Sequence, residues 1–338
     1  MNKLRIGFLS TANIGRTNWK AIASTRNCVV GAVASRDLER SRKFIAECQR
    51  ETPMGYAPEA FGNYEDMLTS RQLDAVYVPL PTALRTEYVV RAANAGKHVI
   101  CEKPCAVSVA ELKKMIAACK KNRVQFMDGV MFMHHPRFPQ IRKTLDDGKS
   151  VGKMKRIASH FSFCGGGNFH DVNIRVNSDL EPMGCLGDLG WYNIRMALWT
   201  MNWQMPKRVE CRIITSAKGD RKMPIEFSGE LFFDRGISSG FYCSFLTMFH
   251  QWVDISGSGG HLYIPGFVRP LKDVTMGFKV NDRVVKTDCA WDRQQVNMFE
   301  NFAKQIFSGK LNSDWPEWSL KTQMVLDACY KSAVGRLK

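Results

Sequence analysis

The sequence predicts a doubly wound α/β domain followed by an α+β domain with an open, mostly antiparallel sheet. Three observations carry that expectation. Over residues 1–128, short β-branched or apolar runs alternate with longer helical patterns, the rhythm of βαβ units around a parallel sheet. After about residue 130 the strand-like runs follow one another closely with turn residues between them, as antiparallel neighbours do. The chain has 338 residues, 45% hydrophobic and 24% charged, enough for two cores.

In chain order, Leu4–Leu9 reads as a strand, Ile14–Ser24 as a helix, Cys28–Ala34 as a strand and Leu38–Glu47 as a helix. Asn63–Leu68 is a short helix, Ala75–Val78 a strand, Leu84–Asn94 a helix, Val99-Ile100 a strand, Val107–Lys121 a helix and Gln125–Met127 a strand. In the second half Lys153–Phe163, Arg208–Thr215, Phe227–Phe233, Ile237–Phe245, Trp252–Ser256 and His261–Ile264 are strand-like, with turns such as Asp234-Arg235-Gly236 between them. Helical patterns cover Asp188–Met201, residues 292–307 and Leu320–Leu337. No repeat or low-complexity linker intervenes, so the expected domains are 1–130 and 131–338, with the last helix (318–337) a candidate to return and pack on the first.

Composition narrows the function. No run approaches the roughly 18–20 apolar residues of a membrane span, and the N-terminus enters a strand directly, so a cytoplasmic protein without a membrane partner is expected. Eleven scattered cysteines without a C-x-x-C pair point to reduced, mostly buried thiols. The formal charge of +16 raises the question of a nucleic-acid partner. The surplus is spread, with 20 basic and 12 acidic residues over 1–128 and 28 and 20 over the rest, and no reader module is present, so none is expected. The densest basic stretch, Arg137 to Arg156, is explained by a solvated surface.

Between the first strand and helix lies Gly7-Phe8-Leu9-Ser10-Thr11-Ala12-Asn13-Ile14-Gly15. A dinucleotide site needs small residues here so that backbone can approach a pyrophosphate seated on the helix N-terminus. Ser10 and Ala12 replace two of the usual glycines and Gly15 stands where the third belongs, which makes Ser10, Thr11, Ala12, Asn13 and Ile14 cofactor-binding candidates. The second strand ends in Ala34-Ser35-Arg36, with no acid to hold an unmodified ribose, while Asp37 is placed to cap the next helix. A hydroxyl followed by a guanidinium suits a 2′-phosphate, so NADP(H) is favoured over NAD(H); the bland alternative makes Arg36 a solvated helix-start residue. Further on, a strand ends in Glu102-Lys103-Pro104, which aims Lys103 outward from the carboxyl edge of a parallel sheet, where such folds bind ligands.

With these blocks the chain resembles the Gfo/Idh/MocA oxidoreductases, in the branch of glucose-fructose oxidoreductase, dihydrodiol dehydrogenase and NADP-dependent D-xylose dehydrogenase. The likeness runs through Gly7–Gly15, Asp74–Pro81, Ala95–Pro104, Phe132–Pro136 and Gly187–Tyr192. It implies a Rossmann domain that binds the nicotinamide cofactor, with Pro79, Leu80, Pro81, Glu102, Lys103 and Asp128 joining the cofactor site. It also implies an open-sheet domain that covers a small-molecule substrate and often forms a homodimer. Lys103 matches the active-site lysine, Asp188 the sheet-side carboxylate and Tyr192 a position held by His or Tyr; these three are the catalytic candidates, and Asp188, Tyr192, Arg175 and His135 the substrate-side ones.

The residues agree with that implication. Asp188 and Tyr192 are four apart and share a helix face, and Gly190 between them is expected to let a ring come close. Tyrosine titrates near pH ~10 unaided and needs a cation such as Lys103 to shuttle protons near neutrality. Two departures stand out: Arg85 where many relatives have His, expected to add charge near the nicotinamide, and Asp128 where they have Glu. The histidines show no ligand spacing, so no metal is expected. The expected activity is NADP(H)-dependent hydride transfer with an alcohol or carbonyl of a sugar, polyol or cyclic diol, the alternative being a non-catalytic NADP(H)-binding sensor of the same fold.

Overall fold

The structure, a computed structural model, describes residues 3–270, 277–287, 289 and 293–337. It contains two compact units, Met1–Ala106 with Ala110–His134 and Asp292–Ser319, and Val107–Val109 with His135–Trp291 and Leu320–Lys338.

The first unit opens with β1 (Leu4–Leu9), α1 (Asn13–Ala23), β2 (Cys28–Ala34), α2 (Leu38–Glu51), β3 (Glu59–Phe61) and α3 (Tyr64–Thr69). It continues with β4 (Ala75–Val78), α4 (Thr82–Asn94), β5 (His98–Cys101), α5 (Val109–Lys121) and β6 (Phe126–Asp128). The six strands are parallel in the order β3-β2-β1-β4-β5-β6, the doubly wound Rossmann arrangement. Every residue of β4 is buried, as expected for a strand covered on both faces, and apolar runs of this kind made the sheet readable from sequence. The short edge strand β3 gave no such run, being half exposed. At Gly7 the register of β1 against β2 shifts, and an added Cβ would lie 2.8 Å from Leu73 Cδ1 and 3.0 Å from Met67 Sδ, so these side chains close over β1 at the glycine.

The second unit holds α6 (Arg137–Leu145), β7 (Met154–Ser162), α7 (Phe169–Val172) and, after a π-helical turn at Leu186–Gly190, α8 (Trp191–Thr200). Its remaining strands are β8 (Arg208–Ala217), β9 (Asp220–Phe232), β10 (Ser238–Ser244), β11 (His250–Gly257), β12 (His261–Pro265), β13 (Gly277–Val280) and β14 (Arg283–Lys286). They form one open sheet, β14-β13-β12-β11-β7-β10-β9-β8, in which β7 and β10 run parallel and the other neighbours antiparallel. Burial alternates along β10 and β12, so one face is packed and the other open.

Helix α6 was hidden by its charge. Arg137, expected on a solvated basic surface, is 1% exposed and donates to the carbonyls of Gly266 (2.9 Å) and Phe267, and burial pushes its pKa down to about 9. Arg142 lies over the Trp199 ring at 4.4 Å. Guanidinium groups on apolar stems satisfy backbone carbonyls and aromatic faces as readily as they face water.

Two helices close the chain, α9 (Arg293–Phe307) and α10 (Asp314–Val334); of the predicted helix over 292–307, Asp292 lies outside the described residues. From sequence alone α9 falls in the second domain, yet its apolar face, with Val296, Phe299, Phe302 and Ala303, belongs to the core of the first unit beside Ile6, Phe8, Trp19 and Tyr77. Periodicity shows that a helix has an apolar face, not which sheet it covers. The last helix (318–337), the candidate for packing on the first domain, is divided: Trp318 packs against the first unit's core, while residues from Leu320 on cluster with the second unit, where Ser332 Oγ accepts from Cys211 N–H and Thr322 Oγ1 from Arg195 Nε. Phe299 is fully buried with its ring 6.3 Å from Tyr77, so Phe299→Ala is expected to cost about 3–5 kcal/mol of stability in denaturant titration; a loss below about 1 kcal/mol would exclude α9 from this core.

Candidate functional site

At the end of β1 the chain turns sharply. Ser10 has φ 141°, a conformation natural to glycine and costing roughly 1–3 kcal/mol for other residues. Its hydroxyl accepts from Ala12 N–H at 3.2 Å, and Gly15 N–H donates to Ala12 O at 2.8 Å. Helix α1 therefore begins on Ala12, which offers no side-chain cap, and its first turn carries no acid. Its leading amides and positive dipole end suit a pyrophosphate. A Cβ on Gly15 would sit 3.1 Å from the Phe44 ring, so this glycine permits close packing of α1, the role expected of the third glycine in such a turn.

At the end of β2 the two candidates part ways. The Ser35 side chain is buried: its hydroxyl donates to Asp37 O at 2.6 Å and accepts from Asp37 N–H and Ser41 Oγ. Ser35 thus shapes the turn with its proton already committed. Asp37 caps α2 through Glu39 N–H at 2.9 Å, as its position suggested. Arg36 and Arg40 are both exposed; burial raises the pKa of the Tyr64 phenol and these two charges partly offset it. The helix terminus and close-packed Gly15 together fit a dinucleotide.

Two more turns leave the same edge of the sheet. After β4, Pro79 and Leu80 are buried and Pro81 half-buried. After β5, Glu102 and Lys103 are half-buried and the Lys103–Pro104 peptide is cis. The Glu102 carboxylate accepts from the buried Tyr77 hydroxyl at 2.6 Å and from Lys103 N–H at 3.2 Å, anchoring the turn from beneath. Burial and the adjacent Glu102 charge push the Tyr77 phenol well above its usual pKa, so it stays a donor. Arg85, expected to bring charge to the nicotinamide end, is 6% exposed and donates instead to the carbonyls of Leu80 (2.7 Å), Glu102 (3.2 Å) and Pro104. Asp128 ends β6, buried, and Gly129 N–H donates to Cys101 O at 2.7 Å. Sequence reasoning missed the Tyr77–Glu102 contact; a lone tyrosine inside the all-apolar run of β4 was its only signal.

In the second unit Asp188 sits inside the π-helical turn and Tyr192 one turn on, at the start of α8. π-Turns accumulate at functional sites because they re-aim side chains. Arg175 Nε donates to Asp188 Oδ2 at 2.8 Å; Asp188 raises the guanidinium's pKa, with smaller contributions from Glu181 and Tyr192, so these groups share one neighbourhood. The Tyr192 ring, 6% exposed, packs 5.6 Å from Phe161. Gly190 plays a different part from the one expected. An added Cβ would meet Leu186 Cδ1 at 2.9 Å and Cys243 Sγ at 3.4 Å, so its small size serves packing against β10 rather than the approach of a ligand ring.

His135 is likewise corrected. It is 1% exposed, Nδ1 accepts from Arg137 N–H at 3.1 Å and Nε2 lies 3.4 Å from Cys289 Sγ, so both nitrogens are engaged within the fold and neither is offered to a substrate. The resemblance over Phe132–Pro136 marked the residue without showing which way its ring turns. Among the described residues no cluster of His, Cys, Asp and Glu could hold a metal, and no helix is long and apolar enough to cross a membrane.

This fold and these turns define a two-unit nicotinamide-dependent oxidoreductase architecture, and the chain belongs to that family: residues 4–130 match the Gfo/Idh/MocA oxidoreductase family with NAD-binding Rossmann fold, and 138–263 its C-terminal domain. Among characterised relatives, D-xylose 1-dehydrogenase (NADP(+)) 2 of Haloferax volcanii is 29% identical over 332 residues, 98% of this chain and 97% of that one. Trans-1,2-dihydrobenzene-1,2-diol dehydrogenase of Xenopus laevis is also 29% identical, over 79% of this chain and 75% of its own. In fold the chain is similar to a 3-ketoreductase from Actinomadura kijaniata, crystallised with NADP and TDP-benzene, with a TM-score of 0.84, 24% identity and 98% of each chain covered.

Burial lowers the His135 pKa to about 3, the nearby Arg137 charge adding to the effect. A base with a depressed folded pKa is neutral when folded and protonates first in the unfolded chain, so stability falls as pH drops below about 6.5. His135→Gln is expected to flatten the acid limb of a stability–pH curve by up to about 1.4 kcal/mol per pH unit between pH ~6.5 and ~3; an unchanged slope in chemical denaturation would show that the ring is not buried neutral.

Proposed function

We propose that the protein is an NADP(H)-dependent oxidoreductase that moves hydride between the nicotinamide and an alcohol or carbonyl carbon of a sugar, polyol or cyclic diol. The observation that carries this reading is Lys103, on a turn fixed at the carboxyl edge of the parallel sheet by Tyr77, Glu102 and Arg85. The names of the relatives, dehydrogenases of a pentose and of a cyclic diol, support the substrate class. Preference for NADP(H) is supported by the exposed Arg36 and the absence of an acid at the end of β2.

Bound nicotinamide supplies the hydride acceptor or donor. In the oxidative direction Tyr192 takes the substrate hydroxyl proton as hydride leaves the same carbon; in reduction it returns that proton to the carbonyl oxygen. Lys103 stabilises the negative charge that develops on this oxygen and lowers the tyrosine pKa towards neutrality. Asp188, paired with Arg175, receives the substrate's remaining hydroxyls and orients the carbon. The rival reading, a cofactor-binding sensor without turnover, draws on the two departures Arg85 and Asp128; Arg85 serves the backbone of the Lys103 turn and Asp128 is buried at the end of β6.

Lys103→Met and Tyr192→Phe are each expected to lower kcat by about 10²–10⁴-fold in a spectrophotometric screen of NADP+ with pyranoses, pentoses, polyols and dihydrodiols. Retained turnover in both variants would end the mechanism, and tight NADPH binding without turnover across the screen would favour the sensor. Arg36→Ala should raise the KM for NADP+ by about 10-fold or more while leaving that for NAD+ nearly unchanged, from loss of one charge-assisted hydrogen bond; equal effects on both cofactors would remove the phosphate assignment.

A further inference from the structure

We propose that Arg85 is a positioning residue for Lys103: by donating to backbone carbonyls of two turns at once, it fixes the segment from which the lysine projects. The inference rests on the proposed role of Lys103. Leu80 lies beyond the end of β4 at Val78, and Glu102 and Pro104 beyond the end of β5 at Cys101, outside the strand ladder; besides Arg85, the Glu102 carbonyl meets only the weak donor Cys101 Sγ, at 3.4 Å, among the contacts seen. The prolines at 79, 81 and 104 deprive both turns of N–H donors that might otherwise close on those carbonyls. Buried carbonyls must be paired, and a guanidinium supplies several donors in one rigid plane.

Arg85 is suited by its position. It stands in the first turn of α4, whose start follows directly from Pro81, so its side chain reaches back across both turns. Nε takes the Leu80 carbonyl, and Nη1 takes the carbonyls of Glu102 and Pro104, the two residues that flank Lys103. With Lys103 N–H held by the Glu102 carboxylate, the backbone on either side of the lysine is fixed by hydrogen bonds made beneath it. A histidine or lysine there could not serve both turns, because neither has a planar fork of donors at that reach.

The test uses the full-length chain with Arg85→Ala and Arg85→Lys, assayed with a substrate found active in the screen, beside Lys103→Met. Both Arg85 variants are expected to lose about 10²-fold in kcat, the scale of a roughly 1 Å misplacement, with a smaller change in NADPH affinity read by fluorescence. Added guanidinium ion should restore part of the kcat of Arg85→Ala, whose cavity admits it, and none of that of Lys103→Met. A folded Arg85→Ala with kcat within about twofold of the parent, or a loss that guanidinium leaves untouched, overturns the proposal. Should Arg85→Ala fail to fold, Arg85→Lys decides by the same criterion. Activity lost in Lys103→Met but kept in folded Arg85→Lys removes this inference alone, whereas activity kept in Lys103→Met removes the oxidoreductase mechanism and this inference with it.

Discussion

Everything in the first unit follows from one constraint: in a parallel sheet all strands end at the same edge, and where the winding reverses, the connections leave towards opposite faces. Here the reversal lies between β1 and β4, the middle pair of the order β3-β2-β1-β4-β5-β6. Ser10–Ile14 leave β1 there, Ser35 and Arg36 leave β2, Pro79–Pro81 leave β4, Glu102 and Lys103 leave β5, and Asp128 ends β6. Residues up to about 118 positions apart in sequence thus share one rim without any of them being selected for contact with another. The fold supplies the rim; the turns supply its chemistry.

Turns at such a rim carry carbonyls and amides that the sheet no longer satisfies. The chain meets this in three ways. After β1 it leaves the α1 amides uncapped by any side chain, which makes them a site for an anion. After β2 it closes the turn on itself through Ser35, Asp37 and Ser41, leaving Arg36 outside. After β4 and β5, where proline removes donors, it brings in side chains from elsewhere, Tyr77 from below and Arg85 from α4. The same accounting of backbone polar groups therefore separates residues that shape the rim from residues that face a ligand.

That distinction also marks what could be read from the sequence. The Rossmann strands were legible because a fully covered parallel strand is an uninterrupted apolar run, and the turn after β1 because its small residues precede a helical pattern. The alternation of the open sheet was legible for β7 to β12, whereas β13 and β14 are four residues each and carry too few side chains to show a period. Residue types pointed to the site, but their orientation was not in the pattern. Ser35 and His135 stand where ligand-facing residues are expected, yet each is turned inward by a hydrogen bond across its own turn, and the small size of Gly190 serves packing against Leu186 and Cys243. The π-turn around Asp188 was equally hidden, since an i, i+4 spacing reads the same through one wide turn as through a regular helix.

The charge follows the same logic. Arg85, Arg137 and Arg195 are all nearly fully buried, and the acceptors seen for them are backbone carbonyls and a threonine hydroxyl, with Trp191 and Trp203 each within 6 Å of the Arg195 guanidinium. Guanidinium remains charged under such conditions far more readily than lysine or histidine, and its planar fork can satisfy carbonyls that no nearby N–H reaches. Each such arginine adds to the formal charge of +16 without adding to the surface that a nucleic acid would meet. Part of the basic excess is therefore an interior property, arising where a guanidinium pairs with carbonyls and a hydroxyl inside the fold, and only the exposed part of it can meet an anionic partner.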